Sequence, residues 1–533
     1  MNYNKVSGSY YTPAILAEFL VEKTMDLFKG SKPIDILEPS CGDGVFLESL
    51  LKCSEFLEKK GTTICSVEKD YEALNKAKNY KKNFKEKGIN TSFYHDDFLQ
   101  FSLKRRKKFD LVIGNPPYIY KTYLDKEQKV LSKEILSNYG VHVKTVYNIW
   151  IPFIISCTKL LKRNGVLCFV LPSEMLQVKY AEPVRRFLFD NFEEIQILSF
   201  EEQIFDKIDQ DVVVFTGVKR GLEKHISHEL LSYHENGFQV IEKNIHNPRK
   251  YFDKWLWYLL SPEEINLVES LKGHFNKTSY YCNSGVGIVT GHNEYFILNE
   301  EEVIRHNLQK WVKPIVKKGS YIKDSLKFSK EQFDLLIQDG TPCFLLDFND
   351  IDSNKMPIEV ENYINKGKEK GINTHYKCKK RKEWFKVPSI WTAEGMFFKR
   401  VHIFPKFINN EMNVNITDTG YRISMRDDFE MDSLIFCFYN SLTLLLLELE
   451  GRYYGGGVLE ITPNEFKNIH IPYYKVSRGN FEKLEELIKQ KSNVEDIIHF
   501  TDKITLNDGF KIKKENIEVL RRLREKIVNF RVR

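Results

Sequence analysis

Several features that would place a chain in a special class are missing from this sequence. Its 533 residues include nine cysteines but no Cys-x-x-Cys pair, which argues against a disulfide framework and against a zinc cluster. No run approaches the ~20 apolar residues of a membrane span, and the first residues contain no apolar signal segment. We therefore expect a cytoplasmic protein with reduced thiols, no bound metal and no membrane contact.

A strong net charge is also lacking. Lys and Arg total 80 against 73 Asp and Glu, and the resulting +7 is too small on this length of chain to indicate a nucleic-acid partner. The excess is nevertheless local, because residues 351–400 hold 12 basic and 6 acidic side chains, whereas residues 401–450 hold 3 and 8. Charge alone leaves the function open, but it singles out one basic stretch.

The pattern of apolar runs divides the chain into parts. Up to about residue 220, short apolar runs such as 109–113 alternate with segments of helical periodicity such as 149–161, which predicts βαβ units on a mainly parallel sheet. Farther on, short β-like pieces and glycine turns replace this alternation. We predict an α/β domain over 1–235, a mixed α+β domain over 236–480 and a helical segment over 481–533.

A glycine-bearing turn follows the first predicted strand. In residues 36–47, Ile-Leu-Glu-Pro-Ser-Cys-Gly-Asp-Gly-Val-Phe-Leu, Gly42 and Gly44 let the backbone approach a ligand at the carboxyl edge of the sheet. A dinucleotide fingerprint would have Gly or Ala where this chain has Leu47, so NAD is disfavoured. Glu68, at the tip of the second strand, is placed to accept hydrogen bonds from ribose hydroxyls.

The strongest chemical signal is Asn-Pro-Pro-Tyr at residues 115–118, directly after a buried strand. Its prolines fix φ near about −65°, so the turn is preorganised. The Asn115 amide oxygen and a freed backbone carbonyl can both accept from one exocyclic NH2 group. Such amines are poor nucleophiles because their lone pair is delocalised, so acceptors that favour a pyramidal nitrogen would stabilise methyl transfer. Tyr118 offers a face for stacking a base.

These motifs occur in an order that resembles the gamma-class N6-adenine DNA methyltransferases. The order is Gly8-Ser-Tyr-Tyr-Thr-Pro13, then residues 38–44, Glu68, His95-Asp-Asp-Phe98 and residues 115–118. The resemblance is strong over residues 1–120, moderate over 145–220 and loose beyond. It implies a Rossmann-like class I methyltransferase domain followed by a C-terminal mixed α+β target recognition domain, with S-adenosylmethionine as the cofactor.

The resemblance assigns the cofactor site residue by residue. It implies that S-adenosylmethionine is bound by Tyr11, Thr12, Pro13, Glu38, Ser40, Gly42, Glu68, Asp97, Phe98 and Asn115. Thr12 and Pro13 would line the methionine end, and Glu68 would hold the ribose. Asp97 would accept from the adenine amine of the cofactor, with Phe98 against the adenine ring.

The resemblance also assigns the catalytic residues, which are Asn115, Pro116, Pro117, Tyr118 and Phe205. Asn115 and the Pro116 carbonyl would hold the target amine, and Tyr118 would stack on the target base. Phe205 would be either a second aromatic against that base or an ordinary core residue. The expected reaction is direct attack of adenine N6 on the cofactor methyl, without a covalent enzyme intermediate, after the base has been flipped out of duplex DNA.

A basic segment in the C-terminal half suits a DNA partner. Residues 377–386 hold six basic side chains and one acidic one next to Trp384 and Phe385, a mixture that fits phosphate contacts or simply a solvated face. Two further segments, 287–296 and 455–463, resemble the beginning and end of the family's recognition region, although either could be a structural turn.

Several other classes share part of this pattern. Protein-glutamine methyltransferases of release factors also use Asn-Pro-Pro-Tyr but lack a large following domain, and only residues 287–296 and 455–463 oppose an RNA adenine methyltransferase. A fused nuclease would need room before Gly8, the modification subunit of a multisubunit system would need a helical N-terminal domain, and a non-catalytic DNA-binding module would not need residues 115–118. We therefore predict a monomeric, adenine-specific DNA methyltransferase of a restriction-modification system, with a separately encoded restriction endonuclease as its counterpart.

Overall fold

The computed structural model describes residues 12–28, 33–53, 61–202, 211–219, 223–235, 237–247, 252–454 and 456–533. Two predicted site residues, Tyr11 and Phe205, lie outside these ranges. The chain forms two compact units, Met1–Ile265 together with Arg533, and Asn266–Val532. The division predicted at residues 235 and 480 concerns function and stays a prediction.

The first unit alternates strands and helices within its described residues. Its strands are β1 (Asp35–Glu38), β2 (Thr63–Glu68), β3 (Asn90–His95), β4 (Phe109–Gly114), β5 (Leu161–Pro172), β6 (Glu194–Phe200), β7 (Val212–Val218), β8 (His225–His234) and β9 (Gly237–His246). Its helices are α1 (Ala14–Asp26), α2 (Val45–Lys52), α3 (Tyr71–Ala77), α4 (Lys81–Glu86), α5 (Phe98–Lys104), α6 (Lys126–Asn138), α7 (Trp150–Leu160) and α8 (Glu182–Asn191), and α9 (Pro262–Gly273) spans the boundary. Short 3₁₀ helices occupy Lys78–Tyr80, Ser173–Leu176, Lys179–Ala181 and Trp255–Leu259.

The described strands of the first unit form one nine-stranded sheet in the order β3-β2-β1-β4-β5-β7-β6-β8-β9. The strands run parallel except for β7, which lies antiparallel between β5 and β6, and β9, which is antiparallel to β8. The strand order reverses between β1 and β4, and open α/β sheets bind ligands at the carboxyl ends of strands at such a point. The predicted Rossmann-like class I methyltransferase fold is confirmed.

Acidic residues at the strand ends start the helices that follow. Asp70, just after β2, accepts a hydrogen bond from the Ala73 amide at the start of α3, and Asp97, just after β3, accepts one from the Leu99 amide at the start of α5. These side chains satisfy amide groups that have no partner inside the helix. The strand tips and helix starts are thereby fixed at the edge where a ligand is expected.

The second unit is mixed α+β, as predicted. Its strands are β10 (Cys282–Val286), β11 (Ile297–Leu298), β12 (Val312–Val316), β13 (Phe344–Leu346), β14 (Gly395–Phe398), β15 (Arg400–Val401), β16 (Phe407–Asn409), β17 (Asn415–Ile416), β18 (Gly420–Met425), β19 (Arg452–Tyr454) and β20 (Val458–Glu460). Its described strands form three small sheets, in the orders β10-β18-β14-β16, β11-β13-β12-β17 and β15-β20-β19.

Helices make up much of the rest of the second unit. They are α10 (Thr278–Tyr281), α11 (Asn293–Phe296), α12 (Glu300–Arg305), α13 (Lys330–Gln338), α14 (Ile358–Glu369), α15 (Tyr376–Lys379), α16 (Met431–Phe438), α17 (Ser441–Glu450), α18 (Pro463–Asn468), α19 (Arg478–Lys489), α20 (Val494–Asp502) and α21 (Lys514–Val532). Shorter pieces are the 3₁₀ helices Gln309–Trp311, Gly319–Tyr321 and Ile372–Thr374 and a π-helix over Lys503–Gly509.

Apolar helices of the second unit belong to its interior. Nearly all residues of α16 and α17 are buried. Among the described residues, no single helix has both the length and the apolar character to cross a membrane, although α16 and α17, bent by 73° at their junction, meet that test as a pair.

A buried ion pair joins α17 to the C-terminal helix α21. Arg531 Nε and Nη2 donate to the two carboxylate oxygens of Glu448 at 2.8 and 2.9 Å, and both side chains are buried. Removing one partner of such a pair leaves an uncompensated charge in the protein interior.

We expect Arg531→Leu to lower the free energy of unfolding by about 3–5 kcal/mol, because Glu448 then stays buried without its cation. The measurement is urea unfolding. The double variant Glu448→Leu/Arg531→Leu serves as the matched control, and it should recover most of the loss since no charge is left buried. A double variant less stable than the single one would contradict this account.

Candidate functional site

Four of the predicted segments meet at the carboxyl edge of the first unit's sheet. β1 ends at Glu38, β2 at Glu68 and β4 at Gly114, immediately before Asn115, and Asp97 follows β3. These strands are neighbours in the sheet, so their tips lie side by side. The structure therefore brings together residues that are up to 77 positions apart (115 minus 38) in the sequence.

The loop after β1 is tied to the end of β2. The Cys41 amide donates to the Val67 carbonyl at 3.0 Å, and the Gly44 amide donates to the Cys41 carbonyl at 2.9 Å. Gly44 has a φ of +99°, and a Cβ atom there would lie 3.0 Å from the Tyr80 ring and 3.2 Å from the Ala77 Cα. Only glycine fits this tight turn without strain.

Glu68 holds this loop through its carboxylate. Its Oε2 accepts from the Gly42 amide, and its Oε1 accepts from the amides of Lys69 and Asp70, each at 2.8 Å. A carboxylate has about four acceptor positions, so these contacts leave about one for a further donor. The sequence predicted that Glu68 binds the cofactor ribose. It did not predict that the Glu68 carboxylate also holds the loop after β1 in place.

Asp97 and Phe98, predicted to bind the adenine of the cofactor, have partners within the chain. Asp97 Oδ1 caps α5, and its Oδ2 accepts from Lys69 Nζ at 3.0 Å. Phe98 is only 3% exposed, and its ring centroid lies 4.9 Å from that of Phe153. Both residues are therefore fixed in place by the protein itself.

Glu38 is a carboxylate without a counter-charge. Its side chain is fully buried, and neither oxygen has a hydrogen-bond partner among the described residues. Burial raises the pKa of Glu38 well above its ordinary value, and the negative charges of Glu68 and Asp43 raise it further. A buried carboxyl in this state either keeps its proton or pairs with a cationic group, since an unpaired buried charge is costly.

Asn115 is oriented by groups from three separate segments. Its Nδ2 donates to Thr12 Oγ1 at 3.1 Å, and its backbone carbonyl accepts from Ser40 Oγ at 3.1 Å. The Tyr118 hydroxyl lies 2.7 Å from Asn115 Oδ1 and 2.9 Å from the Val170 carbonyl. With Nδ2 directed at Thr12, Oδ1 lies on the side of the Tyr118 hydroxyl, where it is an acceptor.

Tyr118 is 3% exposed, and its hydroxyl faces two acceptors. Because one O–H group carries one proton, it can donate to Asn115 or to Val170 at a given moment. The sequence predicted a ring for stacking and gave no sign of the hydroxyl contacts. Of the remaining predicted residues, Pro116 is buried, while Pro13, Ser40, Gly42 and Pro117 are half-buried.

Sequence reasoning missed a second cluster beside this motif. Glu174, in the 3₁₀ helix after β5, accepts from the hydroxyls of Tyr120 and Tyr180. No sequence motif identifies Glu174, Tyr120 or Tyr180, so this cluster could not be predicted from the sequence. Among the described residues, no group of three His, Cys, Asp or Glu side chains is arranged to hold a metal ion.

The basic segment of the second unit separates into two groups. Arg381 donates through Nη2 to the carbonyls of Val289 and Thr290 at 2.8 and 2.7 Å, and Lys386 donates to the Ile351 carbonyl at 2.9 Å. The exposed members are Lys377, Lys379, Lys380 and Lys382. The first group therefore stabilises the unit, and only the second faces solvent.

The segment 287–296 is built into the same unit. The Ile288 amide donates to the Ile416 carbonyl at 2.7 Å, and a Cβ atom on Gly287 would lie 2.1 Å from the Thr417 carbonyl oxygen. The Arg381 contacts end on this same segment at residues 289 and 290. Segment 287–296 thus holds Arg381 in place, and Arg381 lies in the same stretch of chain as the exposed lysines.

Comparison with known proteins accounts for both units. Residues 46–205 match the family model of the Eco57I restriction-modification methylase, and residues 252–506 match the C-terminal domain of the type II methyltransferase M.Eco57I. Type II methyltransferase M.AccI of Acinetobacter calcoaceticus is 24% identical over 96% of this chain and 95% of its own length. Type II methyltransferase M.BanIII of Aneurinibacillus aneurinilyticus is 23% identical over 81% and 83%.

A solved structure shares the fold. The cryo-electron microscopy structure of a DrdV–DNA complex is 13% identical, with a TM-score of 0.50, and the match covers 82% of this chain but only 54% of that one. The fold and the relatives together confirm S-adenosylmethionine as the methyl donor. The two family models cover residues 46–205 and 252–506 in sequence order, and M.AccI aligns over 96% of this chain. The chain therefore belongs to the family of type II restriction-modification methylases.

Proposed function

We propose that this chain transfers a methyl group from S-adenosylmethionine to N6 of an adenine flipped out of double-stranded DNA. The coarser part of this function, a type II DNA methyltransferase of a restriction-modification system, follows from the family. The observation that carries the finer part is the Asn115 amide, which Thr12 and Tyr118 hold with its oxygen as an acceptor. A planar exocyclic amine is the group that such an acceptor suits.

The residues at the sheet edge fit the cofactor. S-adenosylmethionine carries an ammonium group and supplies its methyl group as an electrophile when bound. Glu38 is the buried carboxylate that lacks a cation, and it would accept from that ammonium. The remaining acceptor position of Glu68 would hold a ribose hydroxyl, and Asp97 and Phe98 would border the adenine.

The target amine would be held by Asn115 Oδ1 and the Pro116 carbonyl. Each acceptor draws one N–H hydrogen out of the plane of the base, which localises the nitrogen lone pair for attack. If the Tyr118 hydroxyl turns to donate to the Val170 carbonyl, Asn115 Oδ1 loses the hydrogen bond from Tyr118. It would then accept a hydrogen bond from the target amine instead. Tyr118 would then contact the base through its ring, where stacking is worth about 1–3 kcal/mol.

The second unit supports DNA as the substrate. A protein-glutamine methyltransferase has no use for some 250 further residues that match a methyltransferase C-terminal domain (residues 252–506). We infer that this unit selects the DNA site through the exposed lysines and nearby base-edge contacts. We also propose that the enzyme acts as a monomer and that a separately encoded endonuclease cuts the same sequence when it is unmethylated.

The first test replaces the proposed acceptor. Asn115→Ala should lower kcat by about 10²–10³-fold, because an acceptor that acts in the transition state is lost. The dissociation constant for S-adenosylmethionine should change far less. Tritiated methyl transfer to duplex DNA, RNA and protein measures the first quantity and identifies the substrate, and equilibrium dialysis measures the second. An equal loss of turnover and of cofactor affinity would contradict the assigned role.

The second test concerns Glu38. The folded pKa of this carboxyl lies above its ordinary value of 4.5, so the unfolded chain releases the proton first as the pH rises, and stability falls from pH 4.5 upward. Glu38→Gln removes that loss, and the variant should unfold at higher urea than wild type at pH 8, with the difference vanishing below pH 4.5.

The same variant should bind S-adenosylmethionine about tenfold more weakly or worse, since a neutral amide cannot pair with an ammonium group. Isothermal titration calorimetry measures this affinity without any turnover. Glu72→Gln, which changes an exposed acid in α3, is the control and should alter neither property. Unchanged cofactor affinity in Glu38→Gln would remove Glu38 from the proposed site.

The third test separates the two groups of basic residues. Lys379→Ala/Lys382→Ala should weaken duplex DNA binding and reduce the slope of log K against log[salt] by about 0.9 for each phosphate that the variant no longer binds. Arg381→Ala should leave that slope unchanged and lower the unfolding midpoint, because the carbonyls of Val289 and Thr290 lose their donor. Binding titrations at several salt concentrations measure these slopes. A reduced slope in Arg381→Ala with an unchanged slope in the lysine variant would contradict the prediction.

A further inference from the structure

The segment that follows the catalytic motif is held in an extended pairing. Tyr120 forms an antiparallel bridge with Asn148. The Lys121 amide donates to the Tyr147 carbonyl at 2.9 Å, and the Ile149 amide donates to the Ile119 carbonyl at 3.0 Å. The backbone is therefore fixed from Ile119 to Lys121, and the side chains of these residues occupy definite positions beside the site.

A single carboxylate connects this segment to the end of β5. Glu174 Oε2 accepts from the Tyr120 hydroxyl at 3.1 Å, and its Oε1 accepts from the Tyr180 hydroxyl. Burial raises the pKa of Glu174, against the opposing effect of the hydrogen bonds from Tyr180 and Tyr120. Both oxygens are engaged, so the carboxylate sets the positions of two aromatic rings from two different segments.

These rings belong to a group of aromatic and basic side chains, which we call the aromatic ledge and define as Tyr120, Lys121, Tyr147 and Tyr180. The Tyr147 and Tyr180 rings are stacked with centroids 5.0 Å apart and planes 20° apart. Lys121 Nζ lies 4.2 Å from the Tyr147 centroid. Tyr120 and Tyr147 are 39% and 38% exposed, so the ledge presents ring surface to solvent.

The chemistry of the aromatic ledge fits a nucleic-acid strand. Exposed tyrosine rings stack on bases, and a lysine beside them contacts the phosphate backbone. Among the described residues, Lys121 has no carboxylate within ion-pair distance, so its charge is available to an external anion. The ledge begins two residues after Tyr118, the residue proposed above to stack on the target base.

A purely structural role would not require this arrangement. The half-buried Glu174 carboxylate loses part of its hydration on folding, and apolar side chains of similar size would fill the same space without that loss. What the carboxylate adds is direction, because its two oxygens fix the angles of two tyrosine rings at once. Such directional contacts serve sites in which geometry matters more than stability.

We propose that Glu174 is a positioning residue that fixes the aromatic ledge, and that the ledge receives the DNA strand next to the flipped adenine. This inference rests on the proposed DNA methyltransferase function. It assigns no contact between Glu174 and the reacting atoms, so the residue acts through Tyr120 and Tyr180. Loss of Glu174 should therefore affect the use of DNA and leave the binding of the cofactor intact.

The experiment compares four variants of the full chain on duplex DNA that contains the recognition sequence, which is first found by sequencing modified bases in DNA of a host expressing the protein. The variants are Glu174→Ala, Tyr120→Phe, Tyr180→Phe and Tyr123→Phe. Tyr123 is 48% exposed and lies in the same segment outside the ledge, so its variant is the matched control for loss of a tyrosine hydroxyl. The readouts are kcat, KM for DNA, the dissociation constant for S-adenosylmethionine, and the fluorescence of 2-aminopurine at the target position.

We expect Glu174→Ala to lower kcat/KM for DNA about tenfold or more, as for loss of hydrogen bonds to a charged group, and to reduce the fluorescence rise that marks the flipped base. Tyr120→Phe should show a smaller loss, and adding it to Glu174→Ala should cause no further loss, because the two residues act through one contact. Cofactor affinity should stay within about twofold of wild type in all variants, and Tyr123→Phe should match wild type throughout.

Two results would overturn the inference alone. The first is kcat/KM for DNA in Glu174→Ala equal to that of Tyr123→Phe. The second is parallel loss of cofactor affinity and DNA activity in Glu174→Ala with full activity in Tyr120→Phe and Tyr180→Phe, which would mean that Glu174 only supports the fold. A wild-type enzyme that transfers no methyl group to DNA would overturn the proposed function, and this inference with it.

Discussion

Three backbone amides converge on the carboxylate of Glu68, and the geometry of the site depends on this contact. Through it, the loop after β1 is joined to the loop after β2, and Gly42 is drawn toward the second strand. The same loop carries Ser40, whose hydroxyl holds the backbone carbonyl of Asn115. Three strand tips are thus linked through two side chains, and the amide that defines the site inherits its position from a carboxylate two strands away in the sheet order.

The sequence predicted the framework of this site because the framework depends on local signals. Strand-ending acids, glycines in a turn and an Asn-Pro-Pro-Tyr motif are visible in single segments, and the sheet order then brings their positions together. The strand order confirmed the fold class, and the comparison with known proteins confirmed the cofactor. The roles assigned to individual residues stay predictions, including those of Tyr11 and Phe205, which lie outside the described residues.

What the sequence could not provide are contacts between side chains that are far apart in the chain. The Tyr118 hydroxyl meets a carbonyl 52 residues away, and Arg381 meets carbonyls 92 and 91 residues away. Nothing in the composition of residues 377–386 distinguishes Arg381 from the lysines beside it. The distinction arises only when the segment folds against residues 289 and 290, since burial and acceptor geometry are properties of the tertiary structure.

The two buried carboxylates Glu38 and Glu448 illustrate opposite uses of charge. Glu448 is neutralised by Arg531 within the second unit, so it contributes to cohesion. Glu38 has no such partner among the described residues, and the free protein bears that cost. Binding of a cationic group next to Glu38 would remove this cost, so the ligand-bound protein would be more stable than the free protein.

The Tyr118 hydroxyl has a consequence for how a substrate can enter. Its single proton lies within reach of two acceptors, Asn115 Oδ1 and the Val170 carbonyl. When an amine takes the amide oxygen, the proton can pass to the carbonyl at the end of β5 without any movement of the backbone. One of these two acceptors is satisfied before binding and both are satisfied afterwards, because the amine brings a donor of its own. An incoming donor at Asn115 Oδ1 would therefore require the Tyr118 O–H bond to rotate from one acceptor to the other.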